Sequence, residues 1–237
     1  MRTAAIIPAG GSGKRMRGST AKQYIVLDGV PILARTLSIF QGSSDIDDIF
    51  LVVPKDDIEF VRKMIVEEFD LSKVRGILEG GKERQDSVRN GVNVLEDGQG
   101  VVFIHDGVRP FISGELIHAA LLEISKWEAV TTGVPITDTV KSTDGRNMVT
   151  GTLDRDRLWL TQTPQVFKRN VIREAHDAAF RDRHYGTDDA SLVERIGINV
   201  KMILGSYYNI KITTKEDLEL AEVIMRTLKP AGRFPVL

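Results

Sequence analysis

Four cations, Lys14, Arg15, Arg17 and Lys22, fall within a few residues of Gly10, Gly11 and Gly13 in the stretch PAGGSGKRMRGSTAKQY, residues 8–24. Glycines let a backbone come close to a ligand, and clustered cations select an anion. Backbone N–H groups of such a loop can line a phosphate concavity, and Arg or Lys side chains add charge-assisted hydrogen bonds. A second stretch, HDGVRP at 105–110, places Asp106 directly after an apolar run, where a carboxylate can hold a divalent cation or cap a turn. The chemistry these residue types suggest is that of a nucleotide site. Two familiar phosphate loops do not fit. A P-loop ending at Gly13-Lys14 would need glycine at position 8 and a hydroxyl at 15, where Pro8 and Arg15 stand. A dinucleotide fingerprint starting at Gly11-Ser12-Gly13 would need glycine at 16, which is Met16. The missing glycine disfavours an NAD-dependent oxidoreductase.

These residues need a frame that holds them at one edge. Short apolar runs alternate with helical patterns along the chain. Strands are expected at 3–8, 49–54, 74–78, 101–105 and 129–134, with helices over roughly 31–41, 58–69, 84–95 and 113–127. The run IFLVVP at 49–54 is continuously apolar, as in a strand buried on both faces. Residues 136–166 carry short β-like pieces around a turn at TDGRN, 143–147, and no helical period, which suggests a protruding hairpin with Thr163, Pro164 and Gln165 at its base. Helices at 168–180 and 189–196 follow, then strands at 198–204 and 207–213. A capping box, Thr214 with Asp217, opens a last helix that carries Leu218, Ala221, Met225 and Leu228 on one face. Asp188 and Asp189 read as a cap for helix 189–196, with a role in orienting substrate as the alternative.

Repeated βα units predict an α/β fold, a Rossmann-like three-layer α/β/α arrangement with a mostly parallel twisted sheet and a protruding β-arm. One domain is expected over 1–229, with the arm at about 136–160 and a frayed tail at 230–237. In such sheets ligands bind beyond the C-terminal ends of the strands, where both the glycine loop and HDGVRP fall. The 237 residues carry a formal net charge of −1, so no global field draws the chain to nucleic acid. The absence of cysteine removes thiolate chemistry and disulfides and fits a reducing compartment. No secretory signal pattern and no membrane-spanning stretch is seen, and a cytoplasmic protein with no membrane partner is expected.

PAGGSGKRM…AKQY resembles the signature loop of the nucleotidyltransferases that join a nucleoside triphosphate to a sugar or polyol phosphate. More narrowly, it is similar to the 2-C-methyl-D-erythritol 4-phosphate cytidylyltransferase family of non-mevalonate isoprenoid biosynthesis. The stretches GGKERQDSV, HDGVRPF, TDTVK, TLDRDRLWLTQTPQVF, TDDASLVE and NIKITTKEDLELAE match that family in order over nearly the whole chain.

The resemblance implies attack of a substrate phosphate on the α-phosphorus of CTP, with pyrophosphate leaving and Mg²⁺ as cofactor. Both reactants are anions, and two unit charges about 4 Å apart repel by about 4 kcal/mol at an effective dielectric of about 20. Positioning and electrostatics therefore carry the reaction, and no nucleophilic side chain is required.

By resemblance Arg15, Lys22 and Lys211 are the catalytic cations. Gly11 and Gly13 line the triphosphate, Lys14 joins them or faces solvent, Arg17 faces solvent, and Ala9, Gly10, Gly81, Lys82 and Ser87 read cytosine. Asp106 is the metal ligand, and His105 is structural. Thr139, Arg155 and Lys211 surround the polyol phosphate. Arg109 is a substrate contact or a brace for its own loop, the brace being favoured. The family's arm reaches into a neighbouring subunit, which implies a homodimer with exchanged arms. Two departures from the family pattern stand out: Lys82, and Tyr208 where an acid is frequent. A ribitol-5-phosphate cytidylyltransferase and a non-catalytic nucleotide-binding module are the alternatives.

Overall fold

The computed structural model describes residues 2–11 and 21–228. The tail expected at 230–237 lies outside them. A seven-stranded sheet is built from β1 (Arg2–Pro8), β4 (Asp48–Val53), β5 (Val74–Glu79), β6 (Gln99–Ile104), β7 (Ala129–Pro135), β10 (Trp159–Lys168) and β11 (Lys201–Leu204). Its order is β11-β7-β10-β6-β1-β4-β5. β1 pairs in parallel with β4 and β6, β4 with β5, and β7 with β11. β10 runs antiparallel to both of its neighbours, β6 and β7. The expected α/β, mostly parallel architecture is therefore the one found. A two-residue Asp28-Gly29 turn, with φ of 50° and 79°, joins the short strands β2 (Val26–Leu27) and β3 (Val30–Pro31). Positive φ at both central residues is what such a hairpin turn requires.

The helices are α1 (Ile32–Gly42), α2 (Ile58–Val61), α3 (Arg84–Asn93), α4 (Gly114–Ile124), α5 (Arg169–Arg181), α6 (Asp189–Arg195) and α7 (Lys215–Leu228). α2 continues as a π-helical stretch over Arg62–Glu67. Period-two alternation in β1 divides the core. Ala5 and Ile7 pack with Leu33 and Leu37 of α1 and Ile117 of α4. Ala4 and Ile6 pack with Val88 of α3, Ile172 of α5 and Leu192 of α6. Helices thus cover both faces, which is why β1 is apolar from Ala4 and β4 from Ile49 onward. α7 seals a third cluster with Leu27, Ile32 and Phe111. Its start is the expected capping box, Thr214 N–H to Asp217 Oδ2 at 2.9 Å and Asp217 N–H to Thr214 Oγ1 at 3.3 Å.

Two expectations are corrected. Residues 207–213 form no strand. They are a turn followed by irregular chain, because their backbone groups bond within the turn and to a neighbouring loop: Asn209 N–H reaches Ser206 C=O, and Ile212 N–H reaches Val108 C=O. Residues 159–168, read in part with the arm, form β10 in the middle of the sheet, and Thr163, Pro164 and Gln165 are buried within that strand. Outside the sheet, β8 (Lys141–Thr143) and β9 (Val149–Thr152) pair as a separate antiparallel hairpin around the expected turn.

α3 approaches β1 so closely that a Cβ on Gly91 would lie 2.6 Å from Ile6 Cγ2. Gly→Ala gains about 1 kcal/mol of helix propensity, whereas overpacking a filled core costs about 1–3 kcal/mol. Ile6 is fully buried and cannot withdraw. Gly91→Ala is therefore expected to lower the urea unfolding midpoint; an unchanged or raised midpoint would show that α3 shifts freely.

Candidate active site

Strands β1, β4, β5 and β6 end at one edge, and backbone hydrogen bonds gather the chain just beyond them. Ala9 N–H donates to Val52 C=O at 2.8 Å, Gly80 N–H to Val53 C=O at 2.8 Å and Gly107 N–H to Pro8 C=O at 3.1 Å. Glycine at 107 is required by contact, since a Cβ there would lie 3.0 Å from Ala9 Cβ and 3.3 Å from the Pro8 carbonyl. Gly10 and Gly11 are exposed at this edge, and Ala9 is buried. A Cβ on Gly11 would sit 3.2 Å from Lys22 Cε and 3.6 Å from its Nζ, so the lysine's ammonium end lies against the glycine. Gly13, Lys14, Arg15 and Arg17 lie outside the described residues.

The loop before α3 is braced from within. Ser87 Oγ accepts from Gly81 N–H at 3.0 Å and donates to Glu83 C=O at 3.2 Å. Glu83 and Asp86 close a capping box on α3. Gly81 and Lys82 are exposed.

Asp106 is the centre of the site. Its carboxylate is buried yet receives three cations: Arg84 Nε on Oδ1 at 3.0 Å, and Arg109 Nε and Lys211 Nζ on Oδ2 at 3.3 and 2.9 Å. Burial alone would raise its pKa, but Arg84, Lys211 and Arg109 outweigh burial and hold it well below the usual carboxylate range. Arg109 also donates to Asn209 C=O at 2.8 Å, which fits a brace between its loop and the 207–213 segment. Asn209 donates to Thr163 C=O at 2.8 Å, and this anchoring brings Lys211 to Asp106 without a strand.

His105 explains how the Asp106 loop is held. The ladder between β10 and β7 is interrupted between Gln162 and Gln165, and a bulge of this kind re-aims side chains. Thr163 Oγ1 accepts from Asp106 N–H at 3.0 Å and lies 3.1 Å from His105 Nδ1. His105 Nε2 lies 3.1 Å from Arg109 C=O. The carbonyl can only accept, so Nε2 carries the proton and Nδ1 accepts from Thr163. Burial pushes the imidazole down to about 4, against the raising effect of the Arg109 carbonyl. It stays neutral and structural.

Sequence reasoning missed the continuation of this network. Arg84 bridges Asp106 to Asp189, with Nη1 2.7 Å from Asp189 Oδ2. Asp189 Oδ1 lies 3.2 Å from His176 Nε2, and its N–H donates to Gln165 Oε1 at 3.0 Å. Asp188 is the expected cap of α6, accepting from Ser191 N–H, but Asp189 faces the interior. One signal was available. Arg84 opens α3, where the helix dipole disfavours a cation, so it needs an anionic partner from elsewhere. Thr139 and Arg155 lie in the segment that leaves β7 and returns into β10, and Arg155 Nη1 donates to Thr137 C=O at 3.0 Å. That segment leaves from the C-terminal end of β7, the edge that also carries Asp106. Tyr208 is exposed, and the neighbouring Tyr207 hydroxyl donates to Pro135 C=O at 2.7 Å.

A strand-edge site with braced glycine loops, and cations exceeding carboxylates around Asp106, suits a polyanionic ligand. The chain is a nucleotidyltransferase, as comparison with known proteins establishes. The family model of 2-C-methyl-D-erythritol 4-phosphate cytidylyltransferase matches residues 3–227, and the chain belongs to that family. The enzyme of that name from Syntrophus aciditrophicus is 49% identical over 97% of this chain and 97% of its own. The one from Geobacter metallireducens is 48% identical over 95% of this chain and 98% of its own. Among solved structures, the 4-diphosphocytidyl-2C-methyl-D-erythritol synthase of Anaerococcus prevotii superposes with a TM-score of 0.85 at 36% identity, covering 95% of this chain and 96% of that one. The ribitol-phosphate and non-catalytic alternatives are not favoured by these matches.

The folded pKa of His105 is depressed from its ordinary 6.5 to about 4. Its contribution to stability is complete above pH 6.5 and is lost as pH falls through 4, by about 3 kcal/mol at most. Urea unfolding from pH 7 to pH 4 should show this loss. His105→Gln should flatten the slope between pH 6.5 and 4, and an identical slope would mean that His105 titrates normally.

Proposed function

We propose that the chain transfers a cytidylyl group from CTP to 2-C-methyl-D-erythritol 4-phosphate, giving CDP-methylerythritol and pyrophosphate in isoprenoid biosynthesis. The observation that carries this reading is the cluster of Arg84, Arg109 and Lys211 on the buried Asp106, beside Gly11 and Lys22 at the same edge. The substrate phosphate, largely ionised at neutral pH, attacks the α-phosphorus in line and needs no general base. Arg15, Lys22 and Lys211 neutralise the charge that grows on the phosphoryl oxygens. Gly11, Gly13 and Lys14 cradle the triphosphate, while Ala9, Gly10, Gly81, Lys82 and Ser87 receive cytosine, largely through backbone groups. Thr139, Arg155 and Lys211 grip the polyol phosphate, with Arg109 bracing the loop beside it. Arg155 suits this role because its planar fork can hold two oxygens.

Asp106 is the residue that would hold a magnesium ion, which would enter by displacing a cation, because Arg84 occupies Oδ1 while Arg109 and Lys211 occupy Oδ2. The carboxylate is ionised, and among the described residues no group of three acidic or histidine side chains gathers to hold a metal alone. Mg²⁺ commonly takes one or two carboxylates and completes its shell with phosphate oxygens and water. When bound, the ion would supply charge neutralisation to the departing pyrophosphate.

The chain is further proposed to act in the cytoplasm, as one domain over 1–229 with the arm at 136–160, and as a homodimer with exchanged arms. Among the described residues no helix is long and apolar enough to cross a membrane. Met148, Val149, Leu153 and Leu160 on the arm are exposed. An uncovered apolar β-hairpin is an aggregation hazard, and a second copy would cover it.

Pyrophosphate release should follow addition of CTP, Mg²⁺ and 2-C-methyl-D-erythritol 4-phosphate, and greater turnover with ribitol 5-phosphate would overturn the substrate. Lys22→Ala should lower turnover about 10²–10³-fold. Mixing inactive Arg155→Ala and Lys22→Ala chains should restore part of the activity if Arg155 serves its partner's site. No recovery, given demonstrated subunit exchange, would refute the shared site.

A further inference from the structure

We infer that Asp189 is a positioning residue for the transfer reaction, acting through Arg84 to fix the carboxylate of Asp106. The inference rests on the proposed reading that Asp106 faces the triphosphate. The two oxygens of Asp106 have different partners: Oδ1 takes Arg84, and Oδ2 takes Arg109 and Lys211. Arg84 therefore decides which oxygen, and which rotamer, is presented to Lys211. Arg84 has reasons to leave. It stands at the first position of α3, where the dipole opposes its charge, and its side chain is 31% exposed at an edge that receives polyanions. A phosphate arriving there competes with Asp106 for the guanidinium.

Asp189 prevents the exchange. Its Oδ2 holds Arg84 Nη1 at 2.7 Å, which leaves Nε directed at Asp106. Asp189 cannot follow a moving arginine. It is 1% exposed, its Oδ1 is held by His176 of α5, and its backbone N–H is held by Gln165 of β10. Burial works against both charges of the pair. In Arg84 the two carboxylates outweigh it and raise the pKa above the ordinary value; in Asp189, Arg84 and His176 outweigh it and lower the pKa. Replacing a buried ion pair with apolar groups is often neutral or stabilising, so stability alone does not require this pair. Its geometry accounts for it: a fixed anion behind Arg84 keeps the arginine on the protein while phosphates bind in front.

The test combines a ligand-free signal with kinetics. In the nucleotide-free protein, the Arg84 Nε–H NMR resonance should be sharp and slow to exchange, and Asp189→Asn should broaden it. With CTP and polyol phosphate saturating, Asp189→Asn and Arg84→Lys should each lower kcat about ten- to a hundredfold. KM for CTP should stay within about threefold. Because both act through one contact, the double variant should lose no more than the worse single variant. An unchanged Arg84 signal, an unchanged kcat in Asp189→Asn, or losses that multiply in the double variant would each overturn the inference. Circular dichroism monitors folding. If Asp189→Asn does not fold, Arg84→Lys decides alone, and a rise in KM with kcat unchanged overturns the inference. Full turnover by Asp106→Asn would instead remove the reading of Asp106 itself, while the NMR signal still reports whether Asp189 holds Arg84.

Discussion

The buried carboxylate of Asp106, and the three cations that it holds, constrain the rest of the site. A carboxylate taken out of water carries a penalty of several kcal/mol unless it is paired and hydrogen-bonded. Here it is met by Arg84 from the start of α3, Arg109 from its own loop and Lys211 from the segment before α7. Three distant pieces of chain are thereby fixed relative to one another. Each adds positive charge to the edge where Lys22 also lies. The attraction that assembles the free protein and the one suited to a triphosphate are the same in kind.

The sheet topology makes this convergence possible. Parallel strands deliver several loops to one edge, and the antiparallel β10 between β6 and β7 adds what a parallel strand could not. Its interrupted ladder directs Thr163 at the Asp106 loop, and Gln165 at the start of α6. Both side chains are buried, and their polar atoms are matched by backbone or side-chain partners, as buried polar groups require. The neutral His105 completes the arrangement by accepting from Thr163 and donating to Arg109, so the loop carrying the carboxylate is held from both flanks.

Much of this was legible in the sequence, for identifiable reasons. Period-two and period-3.6 patterns located the sheet strands β1, β4, β5, β6 and β7 and most helices, because their apolar faces are decided locally. Segment 207–213 was misread because its alternation of apolar and polar residues looks like a strand, while loop contacts to Arg109 and Val108 take up its backbone groups. β10 was blurred into the arm because Thr163-Pro164 breaks the pattern in a strand that is nonetheless central. Residue type and motif single out Asp106 and Lys22, and the family resemblance singles out Lys211; the structure brings Lys211 and Asp106 together. The pairing of Arg84 with Asp189, 105 residues apart, was not legible, because it depends on how α3 and α6 come together over the sheet. Asp189 looked like a cap because capping and interior pairing call for the same residue types at the same position.

The tight meeting of Gly107 with Ala9 has a consequence for how such a protein can diversify. The backbone after β6 meets the Ala9 methyl and the Pro8 carbonyl after β1 so tightly that a methyl on Gly107 would force its neighbours to give way. Neither crossing point can accept bulk without pushing the two strands apart, and those strands are neighbours in the centre of the sheet. That end of the crevice is therefore frozen in shape. New selectivity among descendants of this chain is more readily carved at the periphery, at exposed side chains such as those of Tyr207 and Tyr208, than at this crossing.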